Sequence, residues 1–196
     1  MLPFRQASRK MTYLSVDGGT YTVGLCLFGV DSLTNQMTVL RTHLINIHAH
    51  DPHYDYIEER HGNETMRMRR LRDEFNRFLM DIEEIPDLLI YESHFFNVRR
   101  PTAAIPLVRF MQVVEDICVD NGITMTTISP QQMKRTVGIS KQLAKADKDI
   151  VKKKINGLIE DKYICCPVSL DSISEHEIDA IGIGFTQMVL EQFINL

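Results

Sequence analysis

No stretch of this chain approaches the roughly 18 unbroken apolar residues that a helix needs to cross a bilayer. The longest apolar-rich run, Val23 to Val30, is interrupted by Gly24 and Gly29 and has the length of a strand. Cysteine is scarce as well: Cys26, Cys118, Cys165 and Cys166 form no CxxC pair and no staple-like spacing. Cys26 and Cys118 lie in apolar periodic segments, where a free thiol packs as a small hydrophobe. This usage excludes a disulfide framework and points to a reducing, cytoplasm-like compartment. Repeats, low-complexity tracts and linker-like stretches are missing too. Residues 1–10 carry Arg5, Arg9 and Lys10 with no apolar stretch behind them, so no secretory leader is expected. They read as a loose tail, with Met11 available as a second start, and residues 11–196 read as one domain.

What is present is ordinary for a soluble globular protein. The 196 residues are 44% hydrophobic and 24% charged, enough to bury one substantial core. A net charge of −4 argues mildly against a nucleic-acid binder, but the charge is uneven. From Pro130 to Lys154 eight Lys or Arg stand against two Asp, and Arg67, Arg69, Arg70 and Arg72 form a second basic cluster. A patterned surface can grip phosphates even on an acidic protein.

Tyr13 to Asp17 is a short apolar run ending in Asp-Gly-Gly-Thr, a strand entering a tight turn. Val23 to Gly29 and Gln36 to Ile47 read as a second and third strand, so the sheet opens as an antiparallel meander. Glu64 to Met80 carries Met68, Leu71, Phe75, Phe78 and Leu79 near helical spacing, with arginines on its other face. Asp87 to Tyr91 is a buried strand running into Glu92. Ala103 to Val119 is a helix apolar on nearly all sides, which belongs in a core or an interface. Ile123 to Ile128 is a fifth strand, and Pro130 opens a short helix at its first position. Asp147 to Ile159 and Glu175 to Phe193 are further helices. A meander followed by alternating strands and helices predicts an α/β fold: a mixed five-stranded sheet with helices on both faces.

Three acids sit where this geometry can bring them together. Asp17 ends the first strand and Glu92 the fourth; if those strands are neighbours, the two carboxylates lie side by side. Asp179 shares a helix face with His176, three residues before it, and with Glu175, whereas Glu177 points elsewhere. Hard oxygen ligands crowded together repel one another unless divalent cations lie between them. Two such cations roughly 3.5–4 Å apart are a device for hydrolysing phosphodiesters. Taken singly, each acid reads as a cap or a solvated strand end. Their combination with the flanking residues is harder to dismiss.

With those flanks the chain resembles the RuvC Holliday-junction resolvases from Tyr13 to Phe185. Asp17-Gly-Gly and Gly24 resemble the family's opening strand. Leu89-Ile90-Tyr91-Glu92-Ser93-His94-Phe95 is similar to its second motif, a Glu followed three residues later by an aromatic that pries bases apart. Asn97 and Arg109 fall at similar intervals, as do Pro130-x-x-Met-Lys134, Gly138 and Lys145-Ala146-Asp147-Lys148-x-x-Val151. Asp179-Ala180 completes the order. The resemblance implies a ribonuclease H-like fold, a homodimer and Mg²⁺ or Mn²⁺, two per active site. The implied activity is that of a crossover junction endodeoxyribonuclease in DNA recombination and repair, with branched DNA as partner. Asp17, Glu92, His176 and Asp179 would hold the metals, and Phe95, Arg109, Lys134, Lys145 and Lys148 would meet DNA. His176 departs from the aspartate that most of the family carries there. Imidazole is an acceptable but softer ligand, which puts the metal preference in play.

Other features weigh less. His48, His50 and His53 with Asp51 have the residue types of a zinc site but lie in a loop without a second spaced pair. The arginine helix reads first as a solvated face. Phe95 reads equally as core packing or as a base-stacking residue. Asp17-Gly-Gly-Thr20 with Gly24 also resembles the phosphate hairpin of actin-like ATPases and sugar kinases, which need two such domains. A ribonuclease H-like binding protein without catalysis is a third reading. Four-way junctions, forks, flaps and RNA–DNA hybrids all fit the nuclease chemistry, and a helicase or packaging-motor partner is left open.

Overall fold

The computed structural model describes residues 11–19, 21–31, 33–47, 51–93, 104–140 and 149–195. Strands β1 (Thr12–Gly18), β2 (Thr22–Asp31) and β3 (Gln36–Asn46) form the expected antiparallel meander. A 3₁₀ turn (Pro52–Tyr54), helix α1 (Asp55–His61) and helix α2 (Asn63–Asp81) follow. Next come β4 (Leu88–Glu92), α3 (Ala104–Asn121), β5 (Thr124–Ile128) and α4 (Pro130–Thr136). The chain continues through α5 (Ile150–Glu160), β6 (Ile164–Cys165) and α6 (Glu175–Leu190). The strand order is β5-β4-β1-β2-β3-β6, with β4 and β5 parallel to β1 and the two-residue β6 parallel to β3. The five expected strands are all present, and β6 extends the β3 edge. No helix among the described residues is long and apolar enough to cross a membrane.

Side chains alternate across a strand, and each face of this sheet has its own core. Leu14, Val16, Leu25, Leu89 and Tyr91 pack with Leu71 and Phe75 of α2 and with Phe110 and Val114 of α3. Tyr13, Cys26, Phe28 and Ile90 pack on the other face with Met133 of α4, Ile155 of α5 and Ile178, Ile181 and Phe185 of α6. Strand β1 is therefore buried on both sides and lies in the middle of the sheet. The loose alternation of β3 has a local cause: the register slips between Leu27 and Phe28, whose partners Arg41 and Val39 leave Leu40 bulged and exposed.

Helix α6 lies close against the sheet because small groups let it in. The Ser15 hydroxyl donates to the Ala180 carbonyl at 2.7 Å. A Cβ on Gly184 would meet the Phe28 ring, and one on Gly24 would strike the His176 carbonyl. Helix α3 buries Phe110, Val114, Ile117 and Cys118 but turns Ile105, Val108 and Val119 outward. It is thus apolar on two sides, as its sequence indicated, with one side against the sheet.

Candidate active site

Strands β1 and β4 run parallel, with Val16 level with Tyr91. One residue on, Asp17 and Glu92 lie side by side at the C-terminal ends of the central strands, on the face that α6 covers. Asp17 is buried. Tyr91 packs under the same turn, where a Cβ on Gly18 would collide with its hydroxyl.

The first turn of α6 brings the remaining groups. Ser174 caps the helix: its hydroxyl accepts from the Glu177 amide, and the Glu177 carboxylate accepts from the Ser174 amide at 2.9 Å. Glu177 is thereby committed to the cap, consistent with its exclusion from the acidic face. His176 leans over β1 and β2. Its Nδ1 is 2.6 Å from Asp17 Oδ2, and its Nε2 is 2.7 Å from the hydroxyl of Thr22.

The electrostatics reflect the crowding. Burial, and then the charges of Asp17 and Asp179, raise the Glu92 carboxyl to about 7. Burial, and then Asp17, raise Asp179 to about 7 as well. Lys134 of α4 offsets part of both shifts, so its ammonium lies within electrostatic reach of the two acids. The His176 imidazole is raised, first by its hydrogen bond to Asp17, against an opposing effect of burial.

Among the described residues no three His, Cys, Asp or Glu groups are drawn together tightly enough to form a ready-made metal shell. The donor set nonetheless suits a hard divalent cation. Three carboxyl groups influence one another across a half-buried site, and two of them resist ionising, first because of burial and then because of the neighbouring carboxylates. A cation placed among them would remove both the repulsion and the cost of burial.

The other expected site residues fall differently. Arg109 forms an ion pair with Glu64 at 3.0 Å, beside α2 on the opposite side of the sheet from α6. Phe95, Asn97, Lys145 and Lys148 lie outside the described residues, as do His48 and His50. Asp51 accepts from the His53 amide and caps the 3₁₀ turn. Thr22 was missed in the sequence. Its signal was available: it lies two residues before Gly24 and so faces the same side of β2.

No protein-family model matches the chain, and no curated protein matches it. Solved structures do. RuvC of Thermus thermophilus in complex with a Holliday junction substrate superposes with a TM-score of 0.66 at 15% identity, over 93% of this chain and 96% of that one. The yeast mitochondrial Holliday junction resolvase Ydc2 gives 0.60 at 11% identity, over 94% and 80%. The chain has the ribonuclease H-like fold of the RuvC resolvases. Within the RuvC fold, Asp17, Glu92 and the head of α6 occupy the C-terminal edge of the central parallel strands, where ligands of open α/β sheets gather.

Proposed function

We propose that the protein is a structure-selective DNA endonuclease that cuts four-way or related branched junctions. The observation that carries this reading is the set of Asp17, which is buried, with the half-buried Glu92 and Asp179, mutually repelling beside Lys134 in a RuvC fold. Asp17, Glu92, Asp179 and His176 are the residues that would hold two divalent cations. Bound there, such cations would polarise the scissile phosphate and ease removal of a proton from the attacking water. The protein's own part is positional. The parallel β1 and β4 hold Asp17 and Glu92 level, the Ser174 cap fixes the direction of α6, and the packed sheet beneath restrains all of them. Lys134 supplies a positive charge that can meet a phosphate oxygen at the rim. Phe95, Lys145 and Lys148 remain DNA contacts proposed on the family resemblance, whereas Arg109 lies on the other side of the sheet, paired with Glu64.

A junction has near-two-fold symmetry, and we read the enzyme as a homodimer that nicks it in pairs. Ile105 and Val108 near the start of α3 and Val119 near its end are exposed apolar groups that support a self-complementary contact there, with the exposed Gln112 and Glu115 between them. The deciding experiment is cleavage of labelled four-way junction, fork, flap and RNA–DNA hybrid substrates with Mg²⁺ or Mn²⁺. The expected result is paired nicking of the four-way junction, faster with Mn²⁺ because His176 brings a nitrogen donor to the site. Absence of metal-dependent cleavage on every substrate would overturn the proposal.

A further inference from the structure

The imidazole of His176 is held at both ends. A carboxylate can only accept, so at 2.6 Å from Asp17 Oδ2 the Nδ1 atom carries a proton. At the other end Nε2 lies 2.7 Å from Thr22 Oγ1, a hydroxyl that can donate to a neutral ring or accept from a charged one. Three features of the fold keep this contact in place. Thr22 is the first residue of β2, paired with Asn46 of β3, and its carbonyl accepts from the Gly19 amide at 3.0 Å. Its branched side chain has few rotamers in a strand. Two residues on, Gly24 has no side chain to hold the first turn of α6 away, since a Cβ there would strike the His176 carbonyl oxygen.

We infer that Thr22 is a positioning residue that sets which nitrogen of His176 faces the acidic site. This inference rests on the nuclease reading above and adds a residue to it. With Nε2 turned onto the Thr22 hydroxyl, Nδ1 is the nitrogen presented beside Asp17, and Nδ1 is therefore the one offered to a cation. For that, Nδ1 must give up its proton and Nε2 must carry one. Thr22 Oγ1 then becomes the acceptor that holds the new tautomer, the same hydroxyl serving both states by rotating its own hydrogen. Outer partners of this kind orient a ligating histidine and favour the ligating tautomer.

Thr22→Val keeps the branched shape and removes the hydroxyl, whereas Thr22→Ser keeps the hydroxyl. Mn²⁺ binding to the DNA-free protein is measured by direct titration, and the His176 tautomer by nitrogen-15 NMR on adding Mg²⁺. Thr22→Val should bind Mn²⁺ roughly 10- to 100-fold more weakly and fail to reach the Nε2–H tautomer, with its thermal unfolding unchanged. Thr22→Ser should match wild type in both readouts. Wild-type Mn²⁺ affinity and tautomer in Thr22→Val would overturn the inference. So would equal losses in Val and Ser, which would mean that only packing matters at this position. If the wild-type protein bound no Mn²⁺ at all, the nuclease reading would fall with it. Wild-type binding with an indifferent Thr22→Val would remove Thr22 alone.

Discussion

Two clusters of like charge lie in this molecule, and their surroundings are opposite. The arginines of α2 are mostly exposed or half-buried and answered one by one, and Arg70 is buried. Arg69 pairs with Asp73 at 3.4 Å, Arg72 with Asp120 at 2.5 Å, and Arg77 with Glu74 at 2.8 Å. Arg67 lies over the Tyr21 ring and Arg70 over the Tyr54 ring. The acids at the ends of β1 and β4 and in the first turns of α6 are gathered at one half-buried site, with Lys134 and His176 as their cationic neighbours. Solvated charge with local partners is cheap to keep and contributes little. Buried charge of one sign is expensive and persists where a ligand makes up the difference. On the function proposed above, the acids carry the chemistry and the arginines have a mainly structural role.

The sharpest way to break it is Asp17→Asn. If the acids are the reacting centre, cleavage of a four-way junction should fall roughly a thousandfold. Junction binding in a gel-shift assay should stay near wild type, because phosphate contacts elsewhere carry most of the affinity. Cutting at the wild-type rate would remove Asp17 from the site.

Lys134→Ala comes next in size. It should weaken junction binding regardless of DNA sequence and lower the salt slope by about one. Glu92 and Asp179 should also become harder to ionise, which a shift of the activity profile to higher pH would register. An unchanged salt slope would place Lys134 off the DNA.

Acidity gives a third, smaller test. In the fold Glu92 and Asp179 keep their protons up to about pH 7, whereas their ordinary values are 4.5 and 3.8. The folded state therefore binds protons that the unfolded chain has already lost, and this contribution is complete below about pH 4. It is lost as pH rises through 7, and the raised His176 acts in the same direction. Thermal unfolding of the metal-free protein should show that loss between about pH 4 and 7. The stabilisation by Mn²⁺ should grow over the same interval, because cation and proton compete for the carboxyls. A Mn²⁺ effect independent of pH would argue that the cation binds elsewhere.

The smallest effect belongs to the arginines. Arg69→Ala should cost less than about 1 kcal/mol in chemical denaturation and leave cleavage intact. A drop in junction affinity as large as that of Lys134→Ala would make α2 part of the DNA surface and dissolve the contrast.

Much of this was legible in the sequence. The short apolar run from Tyr13 to Asp17 and the near-helical spacing of Leu71, Phe75 and Phe78 located strands and helices, because the apolar pattern records which faces are buried. The pattern also carried Asp17, Glu92 and Asp179, since the ends of buried strands and the head of a capped helix are local features. The bulge at Leu40 and the two-residue β6 were not legible: a slip of register and a short edge pairing depend on the partner strand.

Other questions had no answer along the chain. Taken alone in the sequence, His176 reads as an ordinary helix-surface histidine, and only the family resemblance makes it a ligand. Only the approach of α6 to β2, permitted by the bare Gly24, sets its ring between Asp17 and Thr22, residues 159 and 154 positions away. Arg109, placed at a DNA-contacting interval by the family resemblance, pairs with Glu64 in the fold, a partner that the sequence did not indicate. Local pattern determined the elements and the identity of the acids, because propensity and burial period act over a few residues. Tertiary structure decided which charges face one another, because Coulomb interaction and hydrogen bonding depend on distance in space.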